Sequence, residues 1–525
     1  MVRWSIVIGV WILGAAAAVA TAAVSPWWLV IATPVLTLAL VGTWDLLQRR
    51  HNVLRNYPIL GHARFLLERI RPEIQQYFIE SQTDGTPFDR ETRDLVYERA
   101  KGTLDEEPFG TERDVHAVGY EFMTHSLRAR TAPEGTPTVR LGGPDCTRPY
   151  DIALLNVSAM SFGSLSANAI EAFNAGAARG GFAHDTGEGG ISRYHRKHGG
   201  DLIWEIASGY FGCRTPDGDF DPEQFAAKAS DEQVKAISIK LSQGAKPGFG
   251  GVLPGAKVTA EIAEARGVPI GETVTSPPAH RTFGTPDELI DFIVRLRTLS
   301  GGKPVGFKLC VGSRVEFLAI CKAMLERDIT PDFVIVDGSE GGTGAGPVEF
   351  EDHMGMPLTE GLVTVHNALV GAGLRDRIKI GASGKVASGA DIVKRIIQGA
   401  DFTLAARAMM FAVGCIQAQK CHTNRCPVGV TTQDPARTRA LDVADKTARV
   451  ARFQHATVAS AKQMVASMGL DSFDDLTPSM LNRRIDGATT RTYAELYEWL
   501  EPGALLDHPP ADWRRDWQAA DPSRF

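Results

Sequence analysis

The sequence predicts an α/β fold: a (β/α)8 TIM barrel, preceded by a transmembrane helical hairpin and a small N-terminal cap region. Three observations carry this. Eight short apolar, partly β-branched runs fall between residues 150 and 430, helical patterns lie between most of them, and Gly-rich turns follow several. A doubly wound open sheet is the competing arrangement. The barrel is preferred because the last two runs each enter a short Gly or Arg loop and then a helix, where barrels commonly bind phosphate.

Composition narrows the function classes. With 44% hydrophobic and 22% charged residues the chain is an ordinary globular one rather than a disordered one. A net charge of −6 offers no basic surplus for nucleic acid. Glycine is in excess, 53 of 525 residues, and shows no collagen-type period, so the surplus belongs in turns and ligand loops.

Residues 1–44 read as a transmembrane hairpin. No residue between Arg3 and Asp45 is ionisable, a run long enough for two spans divided at Ser25-Pro26. Trp4, Trp27, Trp28 and Trp44 stand at its ends, where indole rings favour the headgroup layer. A cleaved signal peptide would leave the second apolar run unexplained. Arg3 precedes the hairpin, Arg49, Arg50 and Arg55 follow it, and the turn has no Lys or Arg. The positive-inside rule therefore puts both ends, and the whole remaining chain, on the cytoplasmic side of the membrane. Residues 45–150 are polar, with short helices expected at 61–69 and 74–80, and read as a linker and N-terminal cap. His62, His116 and His125 lack ligand spacing and are expected in surface or capping roles.

Residues 151–440 form the expected barrel. The eight strand candidates are 153–159, 181–185, 237–241, 269–274, 305–311, 333–336, 378–381 and 402–406. Helical patterns occupy 166–179, 258–266, 286–299, 315–327, 358–370 and 390–398. The long gap from Thr186 to Ala236 reads as an insertion holding His195, His198, Trp204 and Cys213. Residues 441–525 are a C-terminal helical extension, with helices near 450–468 and 492–500.

In a barrel the active site sits past the C-terminal ends of the strands. Those ends here carry Met160-Ser161, Thr186-Gly187-Glu188-Gly189-Gly190, Gln243-Gly244-Ala245-Lys246, Lys308, Gly341-Gly342-Thr343, Ser383-Gly384 and Ala406-Arg407. Glycine recurs where backbone N–H groups must approach a phosphate or a ring closely. Lys308, between Phe307 and Leu309, is expected to point into the barrel mouth at an anion, best the N1/O2 edge of a reduced flavin. Lys240 reads either as a functional cation or as a lysine snorkelling from a strand end.

Cys415, Cys421 and Cys426 lie at spacings of six and five and end in Cys-Pro. Soft thiolates in that pattern suit an iron–sulfur cluster. Zinc with His422 as fourth ligand is the alternative, although adjacent ligands such as Cys421 and His422 sit awkwardly around one tetrahedral ion. Cys146, Cys213, Cys310 and Cys321 stand alone and read as small packed residues.

Taken together, Lys240-Leu-Ser-Gln-Gly-Ala-Lys-Pro-Gly, Thr-Gly-Glu-Gly-Gly, Gly-Gly-Thr-Gly and Cys-x5-Cys-x4-Cys-Pro-Val-Gly-Val resemble the synthase domain of glutamate synthase over roughly residues 100–440. The likeness is greatest to the short stand-alone bacterial proteins of that type. The resemblance implies FMN, a [3Fe–4S] cluster, and reductive amination of 2-oxoglutarate with ammonia through 2-iminoglutarate. It implies FMN contacts from Met160, Ser161, Lys308, Gly341, Gly342, Thr343, Ser383, Gly384, Ala406 and Arg407. It implies substrate contacts from Gln243, Lys246 and Arg266, acid/base work by Glu188, catalytic roles for Lys246 and Lys308, and cluster ligation by Cys415, Cys421 and Cys426.

The match leaves the amidotransferase domain and the glycine-repeat β-helix of the large enzymes without counterparts. Lacking a trusted GxGxxG unit, the chain is expected to take electrons from a partner, a ferredoxin or an NAD(P)H-oxidising flavoprotein. Assembly into a homo-oligomer is left open. Phe249 and Ile191 stand where the family usually has acids. Two further readings therefore remain: a flavin/iron–sulfur oxidoreductase for another 2-oxo or amino acid, and a non-catalytic electron-relay subunit.

Overall fold

The computed structural model describes residues 2–525, which divide into two compact units, Met1–Pro87 and Phe88–Phe525.

In the first unit, helices Val2–Ala23 and Leu29–Leu47 pack against each other, joined by a turn at Pro26–Trp28 that Ser25 caps. Both are long and apolar enough to cross a membrane. Close approach is possible because Gly14 lies under Leu36, where a Cβ would stand 2.7 Å from Cδ2. Trp11 Nε1 donates to Thr43 Oγ1 at 2.9 Å across the pair. Short helix Asn52–Asn56 follows. The two helices expected at 61–69 and 74–80 are a single helix, Gly61–Ile74, running into a π-turn at Gln75–Ile79.

In the second unit, eight parallel strands close into a barrel: Leu155–Val157, His184–Asp185, Leu202–Ile206, Val234–Lys240, Val305–Leu309, Phe333–Asp337, Lys379–Ser383 and Phe402–Ala405. Side chains alternate along each strand. Leu202, Trp204 and Ile206 face the surrounding helices, while Ile203 packs inside with Ala236, Phe333, Ile335, Phe402 and Leu404. Leu141 and Ile152, from an antiparallel pair Thr138–Leu141 and Tyr150–Ala153, belong to the same inner cluster.

One strand assignment is corrected. The third barrel strand is Leu202–Ile206, inside the stretch taken for an insertion, so Trp204 is a core residue stacked on Phe225. The segment 269–274 is not a barrel strand. Only Val274–Thr275 is extended, paired antiparallel with Val252–Leu253 in a two-stranded sheet set into the loop after the fourth strand. Pro269 and a left-handed Gly271 interrupt the run that its β-branched residues suggested.

Of the helices, Ala167–Gly180, Ala260–Arg266, Pro286–Leu299, Arg314–Arg327, Leu358–Gly371 and Gly389–Ile397 fall where the periodicity puts them. Helix Val443–Ser467 packs on Ala167–Gly180, Gly389–Ile397 and Arg90–Lys101. Strand Glu121–Met123 pairs with Leu481–Arg484, bringing segments from either side of the barrel sequence into one sheet.

Candidate active site

Strand alternation decides which polar side chains enter the barrel. On the third strand Ile203 and then Glu205 point inward. On the fifth it is Lys308, and on the sixth Ile335 and then Asp337. Lys308 and Glu205 form an ion pair with side chains 6% and 2% exposed. Lys308 lies in register with Lys240 on the neighbouring strand, and Lys240 pairs with Glu188 at 3.3 Å. Two lysines on one face thus each hold a carboxylate. The anion that Lys308 meets within the protein is Glu205.

The electrostatics follow from burial and these neighbours. Burial alone would lower Lys308, but Glu205, Asp185 and Asp337 outweigh it and raise the ammonium above its ordinary value. Burial and the charge of Glu205 push Asp185 up to about 7. Asp337 is also raised, chiefly by burial. Burial would raise Glu188, yet Lys240, Arg266 and Lys246 bring it below the ordinary carboxylate range. At neutral pH Glu188 is therefore a carboxylate, able to accept a proton.

Two clefts open at this end of the barrel. The larger, about 510 Å³, is lined by Lys308, Asp337, Gly341, Gly342, Ser383, Gly384, Ala406 and Arg407, together with Phe88, Ser158, Ala159, Gln243 and Lys385. Arg407 donates to the carbonyl of Glu340 at 2.7 Å and lies 4.9 Å from the centre of the Phe88 ring. Burial lowers both Arg407 and Lys385. Gly384 takes φ +152°, which side-chain-bearing residues rarely adopt. A cationic, Gly-lined end of this kind is chemically suited to a phosphate.

The smaller cleft, about 320 Å³, is lined by Glu188, Lys240, Gln243, Lys246, Phe249 and Ser208, among others. Gln243 lines both clefts, and its Nε2 donates to Thr343 Oγ1 at 3.3 Å. Lys246 Nζ lies 5.5 Å from the centre of the Phe249 ring, and burial lowers its pKa. Phe249 also meets Phe350 edge-on at 5.5 Å. The loop holding Gln243 and Lys246 needs glycine. A Cβ on Gly244 would stand 1.8 Å from the carbonyl oxygen of Gly338, and its N–H donates to Asp337 Oδ2 at 2.7 Å.

Four expected site residues line neither cleft: Arg266, Met160, Ser161 and Thr343, whose Oγ1 accepts from Gln243. Arg266 is 3% exposed at its helix C-terminus, donates to Ser161 Oγ and the Phe162 carbonyl, and lies 5.1 Å from the Phe211 ring centre. Met160 is buried, and Ser161 is taken up by Arg266 and Ser164. Ser158 and Ala159, just before them, line the larger cleft instead. Sequence reasoning missed Glu205, Asp185, Lys385 and Phe88, and placed Asp337 at a strand end without a role. An acid between Trp204 and Ile206 in an otherwise apolar run was the one available signal for Glu205.

The cysteine loop follows the last barrel strand. Cys415 and Cys421 are partly exposed and Cys426 is buried. Tyr97 Oη donates to the Cys415 carbonyl at 2.6 Å, and Gln417 bonds both the N–H and the carbonyl of Phe88 at 3.2 and 3.0 Å. Lys257 Nζ donates to the carbonyls of Cys421 and Ser164 at 3.1 and 3.0 Å. Burial would raise Cys426, but Thr431 and the N–H groups of Val428 and Val430 bring it below the usual thiol value. Donors aimed at sulfur are what a ligating thiolate requires. Among the described residues no three His, Cys, Asp or Glu side chains converge on a single-ion site.

A closed parallel barrel with this loop chemistry defines a class, and comparison with known families settles which: the conserved region in glutamate synthase matches residues 146–471, and the chain belongs to the glutamate synthase family. It is 36% identical over 483 residues to the glutamate synthase large subunit-like protein YerD of Bacillus subtilis, covering 84% of this chain and 92% of that one. It is 35% identical over 364 residues to the archaeal NADPH glutamate synthase of Methanocaldococcus jannaschii, covering 68% and 66%. Against the NADPH glutamate synthase large chain of Bacillus subtilis the identity is 33% over 327 residues, and the match spans 20% of that protein.

Proposed function

We propose that the chain is a membrane-anchored FMN and iron–sulfur oxidoreductase that converts 2-oxoglutarate and ammonia to glutamate through 2-iminoglutarate. The observation that carries this is the pair of clefts sharing Gln243, one lined by Lys308, Ser383, Gly384 and Arg407, the other by Lys240, Lys246 and Glu188. Arg407, Lys385 and the Ser383-Gly384 backbone would hold the FMN phosphate, with Lys308 toward the ring. Cys415, Cys421 and Cys426 would hold the cluster, which the donors around Cys426 support. When bound, these groups supply hydride chemistry and one-electron transfer.

The remaining work belongs to side chains. Lys246 binds a substrate carboxylate as a point charge, and Gln243 orients the substrate between the clefts. Glu188 accepts a proton as ammonia adds to the 2-oxo carbon and returns it to the departing water. Phe249 and Phe350 exclude solvent from the outer side. Arg266 acts through Glu188, whose negative charge it favours. Electrons would come from a ferredoxin or an NAD(P)H-oxidising flavoprotein.

One observation favours a second reading, another 2-oxo acid as substrate. Lys240 is committed to Glu188, which leaves Lys246 as the cleft's uncommitted cation, with Phe249 beside it. The test is to reduce the full chain chemically in detergent and ask which 2-oxo acid plus ammonium reoxidises the flavin. Turnover of monocarboxylates alone would remove 2-oxoglutarate in favour of the second reading. For the cluster, a spin signal from the oxidised three-iron form is expected, and colourless protein with one zinc per chain would reject it.

A further inference from the structure

Helix Gly61–Ile74 and its π-turn have a use that neither cleft explains. At 3.6 residues per turn, Leu66, Ile70 and Ile74 align, with Ala63 and Leu67 beside them, in a stripe roughly 100° wide. Leu66 and Leu67 are 59% and 58% exposed, and Phe78 in the π-turn is 85% exposed. An apolar stripe left open to water on a soluble surface is costly and marks a contact. Phe65, off the stripe, packs edge-on against His51.

Two observations identify the occupant. The first is charge: residues 45–79 hold six arginines against three acids, and one of those acids, Asp45, is buried. Arg64, paired with Glu68, and Arg71 border the stripe on one side, and Arg69 and Glu73 on the other. Among the described residues neither Arg69 nor Arg71 meets a carboxylate. The second is continuity with the apolar hairpin. Asp45, in the last turn of the second apolar helix, accepts from the Ile59 N–H at 2.9 Å and faces His62 Nε2 at 3.0 Å. Gly42 leaves room for Ile59, whose Cδ1 would stand 3.0 Å from an added Cβ. The helix therefore starts at the end of a membrane-length helix and is tied to it by the polar contacts of the buried Asp45.

We infer that Gly61–Ile79 lies in the membrane interface as an in-plane helix, its Leu66–Ile70–Ile74 stripe among the upper acyl chains and its arginines on anionic phospholipid phosphates. The inference rests on the hairpin spanning the membrane. Such helices bury their apolar face roughly 5–10 Å into the headgroup boundary and gain from anionic lipid.

The test uses the full chain in vesicles of mixed phosphatidylcholine and phosphatidylglycerol. A fluorescent amino acid is placed at Leu66 on the stripe or at Glu68 on the opposite face, and shallow nitroxide-labelled lipids are the quencher. Quenching at Leu66 is expected to exceed that at Glu68 roughly threefold or more, and to fall when phosphatidylglycerol is omitted or in an R69Q/R71Q variant. Equal quenching at the two positions overturns the inference. So does a Leu66 probe shielded from water yet not quenched, the result expected of a second copy or another protein on the stripe. If the chain stays with vesicles after alkaline extraction while either of those results is found, the hairpin reading survives and only the in-plane helix fails. If alkaline extraction releases the chain, both fail.

Discussion

Lys308 sits among three inward carboxyls, and their mutual dependence can be measured by the pair of changes Glu205→Gln and Asp185→Asn. At pH 8 the native site holds the Lys308–Glu205 ion pair, with Asp185 pushed up to about 7 by burial and by Glu205. At pH 8 Asp185 is already mostly ionised; removing the Glu205 charge relieves the repulsion and leaves Asp185 to take over as the main counter-ion. The loss should be about 1–2 kcal/mol, the cost of an altered buried polar contact. Asp185→Asn leaves the ion pair in place and should cost about 1 kcal/mol. Both changes together leave the buried ammonium with Asp337 alone, and a broken buried pair costs about 3–5 kcal/mol. The double variant should therefore lose about 1–2 kcal/mol more than the two singles added. Guanidinium unfolding of the full chain in detergent at pH 8, followed by far-UV circular dichroism, gives all four corners of the cycle. Additivity within about 0.5 kcal/mol would mean that the groups do not share a counter-ion. A loss of the whole 3–5 kcal/mol from Glu205→Gln alone would mean that Asp185 cannot take over.

Other consequences can be checked separately. Gly244→Ala forces a Cβ onto the Gly338 carbonyl, so it should displace the Gln243 loop and lower FMN content at least several-fold; full flavin loading would show that the loop yields. Burial holds His280 and His366 down to about 4, against about 6.5 when unfolded. A depressed histidine contributes stability that is present above its unfolded pKa and is lost as pH falls toward its folded one. Thermal stability should therefore drop between about pH 6.5 and 4, on the order of 1.4 kcal/mol per pH unit for each histidine, and His280→Gln should flatten that slope. An unchanged slope in the variant would assign the acid loss elsewhere. Lys246→Ala should raise the apparent KM for a 2-oxo acid by roughly tenfold or more while flavin content stays constant, and an unchanged KM would remove the carboxylate contact. A C-terminal reporter active only outside the cytoplasm would reverse the topology.

The parts of the site that lie at or just past a strand end were legible because strand, glycine and polar residue are contiguous in sequence. Gln243, Lys246, Lys308, Ser383, Gly384 and Arg407 all line a cleft for that reason. What was not legible depends on distant chain or on register. The strand Leu202–Ile206 was hidden because Glu205 broke its apolar pattern, and Glu205 was lost with it. The inward face of that strand appears only once it pairs with Val234–Lys240 through a register shift between Leu202 and Ile203. Arg266 showed the charge a clamp needs, but a helix C-terminus does not reveal which way its guanidinium turns. Here it turns to Ser161 Oγ and the Phe162 carbonyl.

The Phe88–Gln417 contact bears on how this protein can be shortened for crystallisation or spectroscopy. The apolar hairpin invites removal, and a natural place to cut is just before helix Arg90–Lys101. That cut would delete the ring under Arg407 and both backbone partners of Gln417, unfastening the cysteine segment and opening one wall of the larger cleft in a single step. A fragment beginning at residue 82 keeps the clasp and should come off the column yellow. One beginning at residue 90 should lose its colour during washing, although its barrel strands are complete.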